Sequence, residues 1–232
     1  MKSCAPIITM SIAEHVATLT NGTDEAKALA VQALLPLALH QGPAVVEAGA
    51  VAPLVELLRS GGMLNKLQAM NAFSILGMNA NLNVWVACAE AGAIPILVEL
   101  LRNGRAEEKG AAAGSLRFIA VDNQSAIAEG GGIPPLVELL RSDTDFVEGK
   151  ANAACALRFL AIKPDLRSAI LAAGAVRPLV ELLSSGSKRG AAQAEYALKA
   201  LGFDGVAAKP AAKKPAAAKK PAKKATVSKA KK

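Results

Sequence analysis

Four stretches of this sequence are near copies of one another: GAVAPLVELL from Gly49, GAIPILVELL from Gly92, GGIPPLVELL from Gly131 and GAVRPLVELL from Gly174. Their glutamates, Glu56, Glu99, Glu138 and Glu181, stand 43, 39 and 43 residues apart. That period belongs to helical solenoids, in which one supersecondary unit is laid against the next. A second element alternates in phase with the first: KLQAMNAFSIL from Lys66, KGAAAGSLRFI from Lys109, KANAACALRFL from Lys150 and, less closely, AAQAEYALKAL from Ala191. KALAVQALLPL from Lys27 is a fifth copy. Before it, Ile12, Val16, Leu19 and Gly22 repeat the spacing of Val51, Val55, Leu58 and Gly61 but lack the turn chemistry, as a terminal capping unit does. The pattern predicts a lead-in at 1–10, five units at 11–41, 42–80, 81–121, 122–163 and 164–203, and a tail at 204–232.

Within the fourth unit, DNQSAIAEGGG reads as a short helix opened by Asp122 or Asn123 and closed by glycines, whose missing Cβ permits a left-handed cap. PPLVELLRSD then starts a second helix on prolines, where absent N–H donors cost nothing. A longer third helix runs from about Phe146 to Ala161. Helices this short do not hold alone in water, so the units must stack and share one core. A hydrophobic content of 52% with only 3% aromatics suits closely packed helices.

GAIPPLVELL-like phrases followed by AAxALRxLA at this period resemble armadillo repeats over about 190 of the 232 residues. The resemblance implies an all-α, right-handed α-solenoid whose third helices line a concave groove. Mapping the third helices onto that face gives Asn71 and Ile75, Gly114 and Phe118, Cys155 and Phe159, then Tyr196 and Ala200. Beside them runs the row Ser74, Arg117, Arg158 and Lys199. Aromatic rings flanked by arginine are enriched at protein interfaces, and an extended partner of alternating apolar and acidic residues would suit them. The competing reading folds Phe118 and Phe159 back between neighbouring helices and leaves the cations solvated. Import adaptors of the resembled family hold lysine stems with a Trp and an Asn four residues later. Those slots here are Gln32 and Pro36, Asn71 and Ile75, Gly114 and Phe118, Cys155 and Phe159, and Tyr196 and Ala200, so that mode of recognition is not expected.

Trp85 stands in the slot filled by Gln124 and Arg167 in later units. Those polar equivalents point to an outer face, where the ring is either a second contact or packed over an adjacent helix. Cys88 answers Val45, Ile127 and Ile170 and reads as core, whereas Cys155 reads as groove-exposed. With Cys4 the cysteines number three and show no CxxC spacing, which indicates neither a disulfide framework nor a zinc site.

No catalytic constellation appears. His15 and His40 have no metal-binding spacing, EGGGIPP joins two helices instead of a strand and a helix, and the repeated glutamates lie a unit apart, too far for paired acid–base work. We expect no enzyme, cofactor, metal or small-molecule substrate.

The tail is a separate problem. Residues 205–232 carry ten lysines and no acid, while residues 1–204 hold 17 Lys and Arg against 19 Asp and Glu. Prolines at 210, 215 and 221 break any helix, and the composition predicts disorder. It resembles the tails of linker histones. Lys209, Lys213, Lys214, Lys219, Lys220, Lys223, Lys224, Lys229, Lys231 and Lys232 form a polyanion-binding run, suited to DNA or RNA without sequence preference, to nuclear targeting, or to solubility alone; Thr226 and Ser228 could tune its charge. A membrane role ranks behind these, because no lipidation motif and no uninterrupted apolar run of spanning length is present. The sequence thus predicts a protein of nucleus or cytoplasm. It acts as a noncatalytic adaptor, as a nucleic-acid-associated protein dominated by its tail, or as the repeat segment of a larger ubiquitin ligase or anchoring protein.

Overall fold

The computed structural model describes residues 10–78, 84–142, 147–185 and 187–204. The lead-in with Cys4 and the ten tail lysines lie outside these residues. Thirteen helices follow one another, with no strand among the described residues. The first unit contributes α1 (Ile12–Asn21) and the front of α2 (Asp24–Glu47). α1 starts on a reciprocal cap: Ser11 N–H donates to Glu14 Oε2 (2.6 Å) and Glu14 N–H to Ser11 Oγ (3.3 Å). At Gln41 the backbone of α2 leaves helical values (φ −131°, ψ 35°), ahead of Gly42 and Pro43, so its last residues serve as the first helix of the second unit. α2 is the one described helix long and apolar enough to cross a membrane. Its break at Gln41 and the burial of Ala30, Val31, Leu34 and Ala38 make it two solenoid helices.

The second unit continues with α3 (Val51–Ser60) and α4 (Met63–Met78), the third has α5 (Val84–Glu90), α6 (Ala93–Asn103) and α7 (Ala106–Ile119), and the fourth α8 (Gln124–Glu129), α9 (Ile133–Arg141) and α10 (Val147–Leu160). The fifth has α11 (Pro164–Ala172), α12 (Val176–Ser185) and α13 (Lys188–Ala200). α2, α4, α7, α10 and α13 pack side by side in one layer, and α1, α3, α6, α9 and α12 in a second, while a first helix such as α5 touches both layers of its own and the preceding unit. The same registers are buried each time: Leu54, Leu97, Leu136 and Leu179 in the second helices, and Leu34, Phe73, Leu116, Leu157 and Leu198 in the third, none above 2% exposed. Each such side chain contributes about 1.5–3 kcal/mol, which offsets the weakness of helices two to four turns long. Glu56, Glu99, Glu138 and Glu181 face solvent.

The glycine that opens each repeated phrase makes a left-handed turn, with φ +72° at Gly131 and +77° at Gly174. These turns are also docking points. Arg102 Nη2 donates to the carbonyls of Gly130 (3.4 Å) and Gly131 (3.1 Å), and Arg141 Nη2 to those of Ala173 (2.8 Å) and Gly174 (3.2 Å). A Cβ on Gly174 would stand 2.7 Å from Arg141 Nη2 and would displace that arginine, while the positive φ is what favours glycine there. The arginine of VELLR thus clasps the following unit. In the fifth unit the slot is Ser184. Asn123 opens α8 as its N-cap residue, as expected, but its side chain makes no capping hydrogen bond and instead donates backward to the Ile119 carbonyl at 3.3 Å.

Trp85 is not on an outer face. It is 7% exposed, its indole lies against Gly77 of α4, and its ring stacks on Phe118 of α7 at 5.3 Å with 2° between the planes. The polar equivalents misled because Gln124 is itself buried, donating to the Val121 carbonyl at 2.8 Å, and Arg167 donates to that of Ala161 at 2.7 Å. Any side chain at position 77 would enter the indole. Glycine to alanine inside a helix ordinarily stabilises by roughly 0.5–1 kcal/mol, but overpacking costs about 1–3 kcal/mol and wins here. Gly77→Ala should therefore lower the thermal midpoint and shift Trp85 emission; a raised midpoint with unaltered emission would refute this packing.

Candidate functional site

The third-helix layer exposes one face, and the sequence-derived row falls along it unevenly. Asn71, Ser74, Gly114 and Arg117 meet around a depression of about 220 Å³. Three residues that sequence reasoning missed complete it: Glu148 and Asn152 of α10 and Arg189 of α13. Arg189 pairs with Glu148 and donates to Asn152 Oδ1 at 3.0 Å, while Asn152 Nδ2 donates to the Gly110 carbonyl at 3.3 Å. One side chain thus joins α7, α10 and α13. A Cβ on Gly114 would stand 3.1 Å from Asn152 Nδ2, so the glycine sets the closeness of the two helices and keeps the floor open. These partners lie 37 to 42 residues apart in sequence. The one signal for them was the unit period itself, which superposes Asn152 on Gln68, Ala111 and Gln193.

The cations form a ladder with rings between them. The Arg117 guanidinium lies 3.8 Å from the Phe118 ring centroid, and that of Arg158 lies 4.4 Å from Phe159 and 5.5 Å from Tyr196, distances at which a cation is held by the ring quadrupole. Phe118 and Phe159 are half-buried and pack on the core, as does Ile75; Tyr196 is 52% exposed, and Lys199 and Asn71 are exposed. The aromatics are therefore not a free platform, since Phe118 already carries Trp85 and Arg117.

Cys155 occupies its expected slot but is not exposed to the groove: it is 4% exposed, and Arg158 Nη2 lies over its sulfur at 3.9 Å. Close approach of α10 to its neighbours buries a small side chain where a longer one would protrude. Cys88 is core, and burial pushes its thiol up to about 12, which leaves it inert. Arg117 is the unusual charge. Its Nε–H is buried with no hydrogen-bond partner, and burial, followed by the nearby Arg189 charge, lowers its pKa, with Cys155 opposing.

A larger cavity, about 630 Å³, lies elsewhere, between α6, α7 and α9, lined by Arg102, Lys109, Arg141, Pro134, Pro135 and Leu139 among others. A counterpart of about 320 Å³ recurs between α1 and α3. Recurrence at the seam of second helices marks it as a product of stacking, and Arg102 and Arg141 already serve the inter-unit carbonyls. Among the described residues no three His, Cys, Asp or Glu side chains gather as metal ligands do.

Arg189→Ala removes the donor from the buried Asn152 oxygen, a loss of about 1–3 kcal/mol. Glu148→Ala removes only a half-exposed ion pair, worth less than about 1 kcal/mol. Urea unfolding should rank the two variants in that order at unchanged m-value, and equal losses would show that the ion pair, not the amide, carries the junction.

Neither a protein-family profile nor a curated protein matches the chain. Solved structures do. A designed armadillo repeat protein is 27% identical over 82% of this chain and 82% of its own, with a TM-score of 0.74. A second, solved in complex with the peptide (KR)4, is 27% identical over 82% and 81%, with a TM-score of 0.73. An engineered protein is 32% identical over 83% and 80%, with a TM-score of 0.74. Two layers of stacked helices, the recurring buried registers and these likenesses lead to one statement: the chain has the armadillo-like α-solenoid fold.

Proposed function

We propose that the protein is a noncatalytic adaptor that holds an extended segment of a protein partner along its third-helix face, and that its lysine-rich tail brings that partner to a polyanion such as DNA or RNA. The observation that carries the first half is the ladder of Arg117, Arg158 and Lys199, whose two arginines lie over the rings of Phe118 and Phe159. A designed relative was solved with the basic peptide (KR)4; the cations on this face favour the opposite complement, acidic residues alternating with apolar ones. The half-buried rings and Ile75 supply apolar surface between the charges, and the charges supply orientation and encounter rate more than bulk affinity. Support for the second half comes from composition alone: ten lysines on a segment without acids.

The face is tested with a fluorescein-labelled peptide of alternating leucine and glutamate. Arg117→Glu combined with Arg158→Glu should weaken its binding by at least about tenfold, since each charge-assisted contact is worth about 1.5–3 kcal/mol; undiminished affinity would remove the groove assignment. For the tail, binding of duplex DNA should be lost in a chain ending at Asp204. In the full chain it should fall by about 10³–10⁵ between roughly 50 and 200 mM salt if six to ten phosphates are engaged. A weak salt response would mean that the lysines do not act as a polyelectrolyte.

A further inference from the structure

We infer that the depression between α4, α7, α10 and α13 is a binding site for a single carboxylate, filled by one acidic side chain of the partner segment with Arg117 as its countercharge. This rests on the groove reading and specifies where its charge selection happens.

The argument is one of charge and donors. Among the described residues, two guanidinium groups, Arg117 and Arg189, and one carboxylate, Glu148, line the cavity. Arg189 is already paired with Glu148 and bonded to Asn152, so this cluster leaves one positive charge uncompensated. That excess belongs to Arg117. Its Nε–H is buried and unpartnered, and its plane is fixed 3.8 Å over the Phe118 ring. Arg117 lines the depression, and a planar guanidinium held on a ring matches a carboxylate through two parallel hydrogen bonds.

The remaining walls fit the same ligand. The Ser74 hydroxyl donates to the Met70 carbonyl at 3.0 Å, so it offers no proton, whereas the exposed Asn71 amide at the mouth can donate a second hydrogen bond. Leu67, Met70 and Ala111 form an apolar side against which a methylene stem can lie. A dianionic phosphate would need two uncompensated cations and finds one. A cation finds its sole acidic candidate, Glu148, already neutralised.

The test uses peptides in which leucine alternates with glutamine and the central position is glutamate, glutamine or phosphoserine, titrated into the full chain. Trp85, the chain's single tryptophan, stacks on the ring that carries Arg117 and reports binding by its emission. We expect the glutamate peptide to bind about tenfold to a hundredfold more tightly than the glutamine peptide, the range given by one charged hydrogen-bonded pair. Arg117→Gln should erase that preference, so that the glutamate and glutamine peptides bind alike. Equal binding of the two peptides by the unaltered protein, a preference that survives Arg117→Gln, or a tighter grip on phosphoserine would each overturn the single-carboxylate site while leaving the groove in place. Failure of every peptide to bind would overturn the groove reading and this site together. Because the glutamate-to-glutamine change is made in the ligand, the result does not depend on the variant folding.

Discussion

The structure depends on neighbouring third helices approaching closely enough that each unit's apolar stripe is covered by the next. No helix here could keep its apolar face dry by itself. The residues at the contact are correspondingly small: Ala112, Ala113, Ala151, Ala153, Ala154 and Ala156 are completely buried, and Gly110 and Gly114 sit among them. Small side chains bring backbones together, so the polar groups that remain at the seam meet backbone carbonyls directly. Asn152 reaching Gly110 and Asn65 reaching the Asp24 carbonyl, each at 3.3 Å, are consequences of that approach.

Apolar stacking alone does not fix register, because alanine surfaces slide past one another at little cost. Directional bonds supply what packing lacks. On the second-helix side, arginines 102 and 141 fork onto the carbonyls of the next turn. On the third-helix side, Arg189 grips Asn152 and Glu148. Each bond is worth little at the surface, but each joins two units, so together they resist a shear that the core tolerates.

The solenoid was legible because its cause is periodic. Leu97 and Leu136 recur at the unit spacing, and a buried register leaves the same residue type each time. For Trp85 the sequence left an outer contact and packing over an adjacent helix open, and the second holds; which neighbours cover it was not legible, because an indole fits only where Gly77 lacks a Cβ and Phe118 supplies a parallel ring, and neither is implied by the slots of other units. Cys155 was misplaced for a related reason. Helical periodicity gives the direction of a Cβ, not the distance to the adjacent helix, and a short side chain in a tight seam is covered whichever way it points. The triad of Glu148, Asn152 and Arg189 escaped because side-chain pairing between units leaves no trace in any one of them.

Charge placement also constrains what can occupy the third-helix face. Residues 1–204 are slightly acidic in sum, yet Arg117, Arg158 and Lys199 concentrate positive charge along one row, and among the described residues the one carboxylate at the central depression is tied to Arg189. The chain's own lysine-rich tail is therefore an unfavourable occupant, since it would set ammonium groups against guanidinium groups across a partly desolvated surface where screening is weak. Under the proposed function, the row beside Phe118 and Phe159 would select among acidic segments by requiring that each carboxylate meet a guanidinium held on a ring and each apolar residue a ring face.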